Sequence, residues 1–320
     1  MNVLVTCGSN RIREEMAKSI DRFDLMSLFV RIAETGSLSA AGRSLNLSQP
    51  SVSRQLRELE VDLGTQLIMR STHRLTLTDA GREFLVECRQ LLDAWETVRE
   101  RFRLEKEAIE GRIRVAVPSG LGQTVLADVA GSFVEQFPHV TIDWLLNDAP
   151  TDLIGDGIDV WVRVGRIADE SLIVRGLWHI ERVIVEAATD RRRASHPEQL
   201  VDQPAVALSP YVGARLELFG PKAEKYRLKP RVVVSTDNLF AAERLMAAGR
   251  GYSVLPLWLV KPSLDNRNAR LLCPRWKPEP LPLSVAYPQS RYRPARHQLF
   301  IEHLRKELPT TGAGITPMEL

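Results

Sequence analysis

At 320 residues the chain is long enough for about two domains of roughly 150 residues each, and 44% hydrophobic with 26% charged residues is the make-up of a globular protein, not a disordered one. Cys7, Cys88 and Cys273 form neither an even set nor a metal-ligand spacing, which argues against a disulfide framework and a zinc site and fits a reducing compartment. Net charge is only +3, and no apolar run approaches the roughly 18 residues of a membrane span, so a cytoplasmic chain without membrane association is expected.

Residues 1–20, MNVLVTCGSNRIREEMAKSI, show no clear period and read as an N-terminal appendage. They are either a start-site artefact, with Met16 nearer the true start, or a real extra arm. From there Leu25, Leu28, Phe29 and Ile32 fall at i, i+3, i+4 and i+7, which predicts a helix stopped by Gly36. Ser37 or Ser39 caps a short second helix, in which Ala40 and Ala41 let another helix approach, and a turn at Asn46 and Leu47 ends it. Ser48 or Gln49 caps a third helix with Pro50 in its first turn. Its apolar stripe is Val52, Leu56, Leu59 and Leu63, and Gly64 closes it.

QLIMRSTHRLTLT, residues 66–78, reads as a β-hairpin or wing with a polar tip at Ser71 to Arg74. Thr78 and Asp79 then open a long helix in which Phe84, Cys88, Leu91, Trp95, Val98 and Phe102 alternate spacings of 4 and 3, an a/d seam. A stripe that packs inside its own domain is one reading. We read residues 79–107 as a dimerising linker helix, because they stand between two folded regions and are charged on their other faces. After Gly111, strands are predicted at 112–117, 140–146, 158–164, 181–188, 205–208, 231–236, 252–255 and 281–287, with helices at 121–136, 237–248 and 294–307. That alternation predicts an α/β fold.

Helix, short helix, tight turn, helix and hairpin together spell a winged helix-turn-helix over residues 21–78. This region carries 7 Lys or Arg against 6 Asp or Glu, so geometry and not bulk basicity points to nucleic acid. Packing of Ala41 and Leu45 against Val52, Leu56 and Leu59 would hold the polar start of the third helix outward. There Gln49 suits adenine, Arg54 suits guanine or a phosphate, and serine hydroxyls with free helix N–H groups suit phosphate oxygens.

FDLMSLFVRIAETGSLSAAGRSLNLSQPSVSRQLRELEVDLGTQLIMRSTHRLTLTDAGREFL closely resembles the N-terminal domain of LysR-type transcriptional regulators, in its ETGSLSAA entry, its LSQPSVSRQL core and its LT.AG exit. The resemblance continues through GRIRVAVPSGLGQTVLADVAGSFVEQFPHVTIDW to the last helix and covers about residues 22–308. It implies an α+β winged helix-turn-helix, a linker-helix dimer, and an α/β effector domain of two periplasmic-binding-protein-like lobes. Lobe I is expected over about 112–165 and 268–308, lobe II over about 166–267, and a tail over 309–320. Residue by residue, the family's DNA contacts fall on Gln49, Ser51, Ser53 and Arg54 and, at the wing, Arg70 and Arg74. Ile68 stands where the family usually has Phe, and His73 where a second wing Arg is common. The implied partners are an operator of double-stranded DNA with dyad symmetry, a second copy in a homodimer or homotetramer, RNA polymerase, and a small effector.

For the effector, Ser119 and Gly120 lie between a strand and a helix, Thr236 occupies the same kind of position in the second lobe, and Arg163 lies near the first crossing; at Ser119 and Thr236 a plain helix cap and a ligand contact are equally good readings. Residues 221–308 carry 17 Lys or Arg against 7 Asp or Glu, either a solvated face, the commoner case for scattered charge, or a field tilted toward an anion. A small organic acid with its carboxylate at the Ser119 helix terminus is the resulting expectation. No metal or cofactor is expected, nor an enzyme: GxSxG, P-loop and HExxH patterns are missing, and GLG at 120–122 lacks the third glycine of a dinucleotide fingerprint.

Overall fold

The computed structural model describes residues 21–70, 75–102, 109–149, 152–189, 194–213, 215–289, 293–308 and 314–318, with backbone alone at 70, 100–102, 154 and 210. The described residues fall into two compact units, one from those within 21–102, 152–157 and 293–295, the other from those within 109–149, 158–289 and 296–318.

In the first unit, helix α1 (Arg22–Thr35) starts where the Asp21 carboxylate accepts from Phe23 N at 3.2 Å and stops at Gly36, φ 61°. Helix α2 (Leu38–Ser44) is capped by Ser37, whose hydroxyl accepts from Ala40 N, and helix α3 (Gln49–Leu63) by Ser48, whose hydroxyl accepts from Ser51 N. The open choices at both caps therefore fall to the residue before the helix, as the N-cap requires. Strands β1 (Ile68–Arg70) and β2 (Leu75–Leu77) pair antiparallel, and helix α4 (Asp79–Phe102) follows. The core joins Leu25, Leu28, Phe29 and Ile32 of α1 to Val52, Leu56 and Leu59 of α3 and to Leu85 and Cys88 of α4. Ile68 is buried in it. Leu63, expected in the α3 stripe, is exposed, because the core ends one turn earlier.

The second unit holds two lobes. Strands β3 (Gly111–Val117), β4 (Val140–Leu146), β5 (Val160–Val164), β6 (Leu172–Ile180), β15 (Leu281–Pro288) and β16 (Ile315–Pro317) form one sheet in the order β16-β6-β15-β5-β3-β4. Strands β3, β4 and β5 run parallel, and β15 runs antiparallel to β5 and β6. The predicted helix at 121–136 is two helices, α5 (Ser119–Gly122) and α6 (Val125–Gln136). The four-residue helix α7 spans Leu153–Asp156, in the segment grouped with the first unit. The second sheet, in the order β11-β8-β12-β7-β13, joins β7 (Arg182–Ala187), β8 (Pro204–Leu208), β11 (Arg231–Thr236), β12 (Tyr252–Pro256) and β13 (Ala269–Leu271).

One face of this second sheet packs on α8 (Leu239–Ala247) and α9 (Leu257–Asp265) through Val185, Val206, Leu255, Ala242, Met246 and Val260. Over the other lies a small sheet of β9 (Leu216–Phe219), β10 (Lys225–Leu228) and β14 (Lys277–Pro278). The last helix, α10 (Ala295–Glu307), packs Phe300, Ile301 and Leu304 into the first lobe with Phe133 of α6.

The lobe boundaries expected near 165 and 268 move. Strand β6 pairs with β15 in the first sheet and β13 pairs with β7 in the second, so the chain crosses between Ile180 and Arg182 and again at Glu279 and Pro280. The reason β6 escapes a period-2 reading is a bulge: Leu283 faces Trp178 and Ser284 faces Gly176, leaving Leu177 as an extra residue. No helix among the described residues is long and apolar enough to cross a membrane.

Candidate nucleic-acid interface and effector cleft

Helix α3 is held against α2 by a close approach at Gly42. A Cβ there would stand 2.7 Å from the Leu47 carbonyl oxygen and 3.3 Å from Val52 Cγ2, so any side chain would wedge the turn open. With Val52, Leu56 and Leu59 buried, the opposite side of α3 points out: Gln49 and Arg54 are exposed, Ser51 and Ser53 half-buried. Ser51 Oγ accepts from Gln55 Nε2 at 3.4 Å, so this serine is partly committed within the helix. Arg57, one turn after Ser53 and exposed, completes the same surface and was left out of the sequence-derived contacts. Its spacing of four from Ser53 was the available signal.

The wing is clamped from below. Glu60 Oε1 accepts from Leu67 N at 2.9 Å and Ile68 N at 3.2 Å, and the Thr78 hydroxyl donates to the Gln66 carbonyl at 2.8 Å. Of the predicted wing contacts, the Arg70 side chain and all of Arg74, like His73, lie outside the described residues.

The a/d seam of α4 divides. Phe84 stacks tilted on Phe29 at 5.4 Å and Cys88 is buried in the same core, so these two belong to the domain's own packing and not to a second chain. Burial, with the Glu87 charge adding, pushes the Cys88 thiol up to about 12. Leu91, Trp95 and Val98 are 49%, 47% and 36% exposed; Trp95 stacks on Phe23 at 5.4 Å and keeps its other side open. The buried core takes Leu85 and Cys88 from the early turns of α4, and the later turns run past it, with Trp95 still against Phe23 of α1. The Phe102 side chain lies outside the described residues, as do residues 1–20 and 309–313.

In the two-lobed unit, Ser119 follows β3, Asp148 follows β4 and Arg163 ends β5, so all three stand at the carboxyl ends of parallel strands, where α/β sheets bind ligands. Arg163 Nη1 lies 3.3 Å from the Asp148 and Ala149 carbonyl oxygens, and its guanidinium sits 4.9 Å over the Trp161 ring. Ser119 N donates to Asp148 Oδ1 at 3.0 Å. That bond corrects the expectation of an anion at the Ser119 terminus: α5 has a single turn, and its leading N–H already faces a carboxylate.

Gly120 is a packing residue. Its Cβ would fall 2.8 Å from Leu239 Cδ1 and 3.6 Å from Trp258 Cη2, so the two lobes touch here. Thr236 Oγ1 accepts from Asn238 N at 3.2 Å, and the Asn238 side chain caps α8 by accepting from Ala241 N. Ser119 and Arg163, from the ends of β3 and β5, thus both bond Asp148, and Leu239, three residues after Thr236, stands against Gly120. Sequence reading missed Trp161 and Trp258. Both indole Nε1 atoms are buried without a hydrogen-bond partner among the described residues, an unspent donor capacity that depends on tertiary packing.

Two family profiles match this chain. "Bacterial regulatory helix-turn-helix protein, lysR family" matches residues 23–82 and "LysR substrate binding domain" matches residues 106–309. HTH-type transcriptional regulator PtxR of Pseudomonas aeruginosa is 32% identical over 311 residues, spanning 92% of this chain and 96% of the relative. HTH-type transcriptional activator AaeR of Escherichia coli is 29% identical over 288 residues, 89% and 93% of the two chains. Among solved structures, full-length OxyR from Pseudomonas aeruginosa superposes with TM-score 0.69 at 16% identity, covering 94% of this chain and 99% of its own. The Vibrio cholerae virulence activator AphB does so with TM-score 0.57 at 23%, covering 89% and 99%. Both share the fold.

Proposed function

Since the chain belongs to the LysR-type family of transcriptional regulators, we propose that it binds a dyad-symmetric operator of double-stranded DNA in the cytoplasm, as a homodimer or homotetramer, and answers to a small organic acid. In this reading residues 21–78 bind DNA, 79–107 dimerise and 112–308 sense the effector. The observation that carries it is the outer side of α3, where Gln49, Ser53, Arg54 and Arg57 stand clear of a helix whose other side is core. Gln49 and Arg54 read base edges; Ser51, Ser53, Arg57 and the wing residues Arg70 and Arg74 meet phosphates.

Two such helices about one DNA turn apart require a dimer, and Leu91, Trp95 and Val98 supply its apolar seam. The effector lies between the lobes near Thr236, Trp258, Trp161 and Arg163, and shifts the spacing of the two α3 helices by binding one arrangement more tightly than the other. RNA polymerase is the partner through which a change of spacing alters transcription.

The test is selection of a binding site from random duplexes with the full chain, followed by fluorescence anisotropy. Arg54→Ala should cost about 1–3 kcal/mol on the selected site and relax preference at one base position. Unchanged affinity for selected and random duplexes alike would remove α3 from the interface. Titration with organic acids then follows, with Arg163→Ala and Thr236→Ala: unchanged affinity in both moves the effector out of the cleft.

A further inference from the structure

On the side of the second sheet away from α8 and α9, alternate residues of β7, β8 and β12 look toward the β9 and β10 hairpin across a cavity of about 480 Å³. A cavity of that size holds a small organic molecule. Neither Ser119, Arg163 nor Thr236 lines it, so it is distinct from the interlobe strand ends described above.

Two polar groups in its lining are buried and unsatisfied. Tyr252 is 3% exposed, and its hydroxyl has no hydrogen-bond partner among the described residues. Arg182 is 9% exposed; its Nη2 donates to the Glu279 carbonyl at 2.8 Å, whereas its Nε is buried without a partner. Buried polar atoms are nearly always paired, so two orphans on one cavity mark a place that a polar ligand completes.

The charges around the cavity select the sign of that ligand. Arg227 is paired with Glu217 at 3.1 Å, which leaves Arg182 and Arg215 against Glu279, one cation in excess. Burial pushes the Tyr252 phenol above its ordinary value, with Cys273 adding, so it remains an O–H donor at physiological pH. Burial also lowers the Arg182 pKa, yet a guanidinium remains charged in proteins. Between the polar groups the walls are apolar, from Ala207, Leu216 and Val254, and the Tyr211 ring lies 5.6 Å from the Arg182 guanidinium.

We propose that this cavity is a second ligand site, for an organic anion with a flat apolar body. Arg182 binds the carboxylate, the Tyr252 hydroxyl donates to the ligand, and the body lies along Ala207 and Val254. Arg182 on the first crossing already holds Glu279 on the second, so occupancy bears on the residue that ties both crossings together.

The test is isothermal titration of the full chain with benzoate and 2-naphthoate, each against its neutral amide. At least one acid should bind, about 10-fold more tightly than its amide, and Arg182→Gln should erase that preference. Tyr252→Phe should weaken the acid about 3- to 10-fold while leaving the melting temperature equal or higher, since the hydroxyl removed has no partner in the free protein. Ala207→Leu should block binding by filling the cavity. Arg163→Ala and Thr236→Ala should leave it intact, which separates this site from the interlobe effector site. The proposal is overturned if neither acid binds, if Tyr252→Phe and Ala207→Leu bind like wild type, or if Arg163→Ala or Thr236→Ala abolishes binding.

Discussion

Glu60 is the residue on which the position of the wing depends. Its Oε1 accepts two backbone N–H bonds, 2.9 Å from Leu67 and 3.2 Å from Ile68, and both donor residues are fully buried. Glu60→Ala removes the acceptor and leaves both donors where water does not reach. An orphaned buried N–H costs about 1–3 kcal/mol, so the pair predicts a loss of about 2–6 kcal/mol, a large share of the roughly 5–15 kcal/mol that holds a domain folded. Glu60→Gln keeps an accepting oxygen and loses only charge assistance, about 1 kcal/mol.

Urea unfolding of the full chain measures the stability change, and amide hydrogen exchange over residues 65–78 localises it. The wing segment should exchange faster in Glu60→Ala than in Glu60→Gln, with α3 affected less. DNA affinity should fall in step with wing exchange, although Glu60 touches no DNA in the proposed complex. If Glu60→Ala unfolded within 0.5 kcal/mol of wild type with unchanged exchange, the two bonds would not be what fixes the wing.

The exposed seam gives a test of assembly: Leu91→Glu with Trp95→Glu should yield monomers in analytical ultracentrifugation, and a persisting dimer would exclude that face. Gly42→Ala should destabilise the first unit by about 1–3 kcal/mol by thermal unfolding, because the new Cβ meets a carbonyl in the turn and not a movable side-chain tip. Cys88 and Cys273, raised by burial to about 12 and about 11 from 9.0, should resist a disulfide reagent at pH 8 in the folded chain and react at once in urea. Their contribution to stability is complete below the unfolded thiol value and lost as pH rises through the folded values, so the urea midpoint should fall between pH 9 and 11.

Local order was legible in the residue pattern because it is written in near neighbours. Ser48, Gly36 and Gly64 act within one helical turn, and the stripe Val52, Leu56, Leu59 shows its face through spacing alone. Strands β3, β4, β7, β8, β11, β12 and β15 were likewise readable as short β-branched runs near the positions where they form.

What spacing leaves open is which partner a face or a polar group meets. The same alternation of 4 and 3 runs from Phe84 to Val98, yet Phe84 packs on Phe29 of α1 and Cys88 lies in the same core while Leu91, Trp95 and Val98 remain outside, because α4 outlasts the core it starts on. Ser119 opens a helix as its sequence implies, but Asp148, 29 residues later, already accepts from its N–H. Strand β6 and the true crossings depend on pairing with β15 across about a hundred residues. The orphaned Tyr252 hydroxyl and Arg182 Nε exist only once β7 and β12 lie side by side under the β9 and β10 hairpin. Sequence sets each segment's preference; desolvation and hydrogen-bond satisfaction, which are properties of assembled neighbours, decide what each side chain is left free to do.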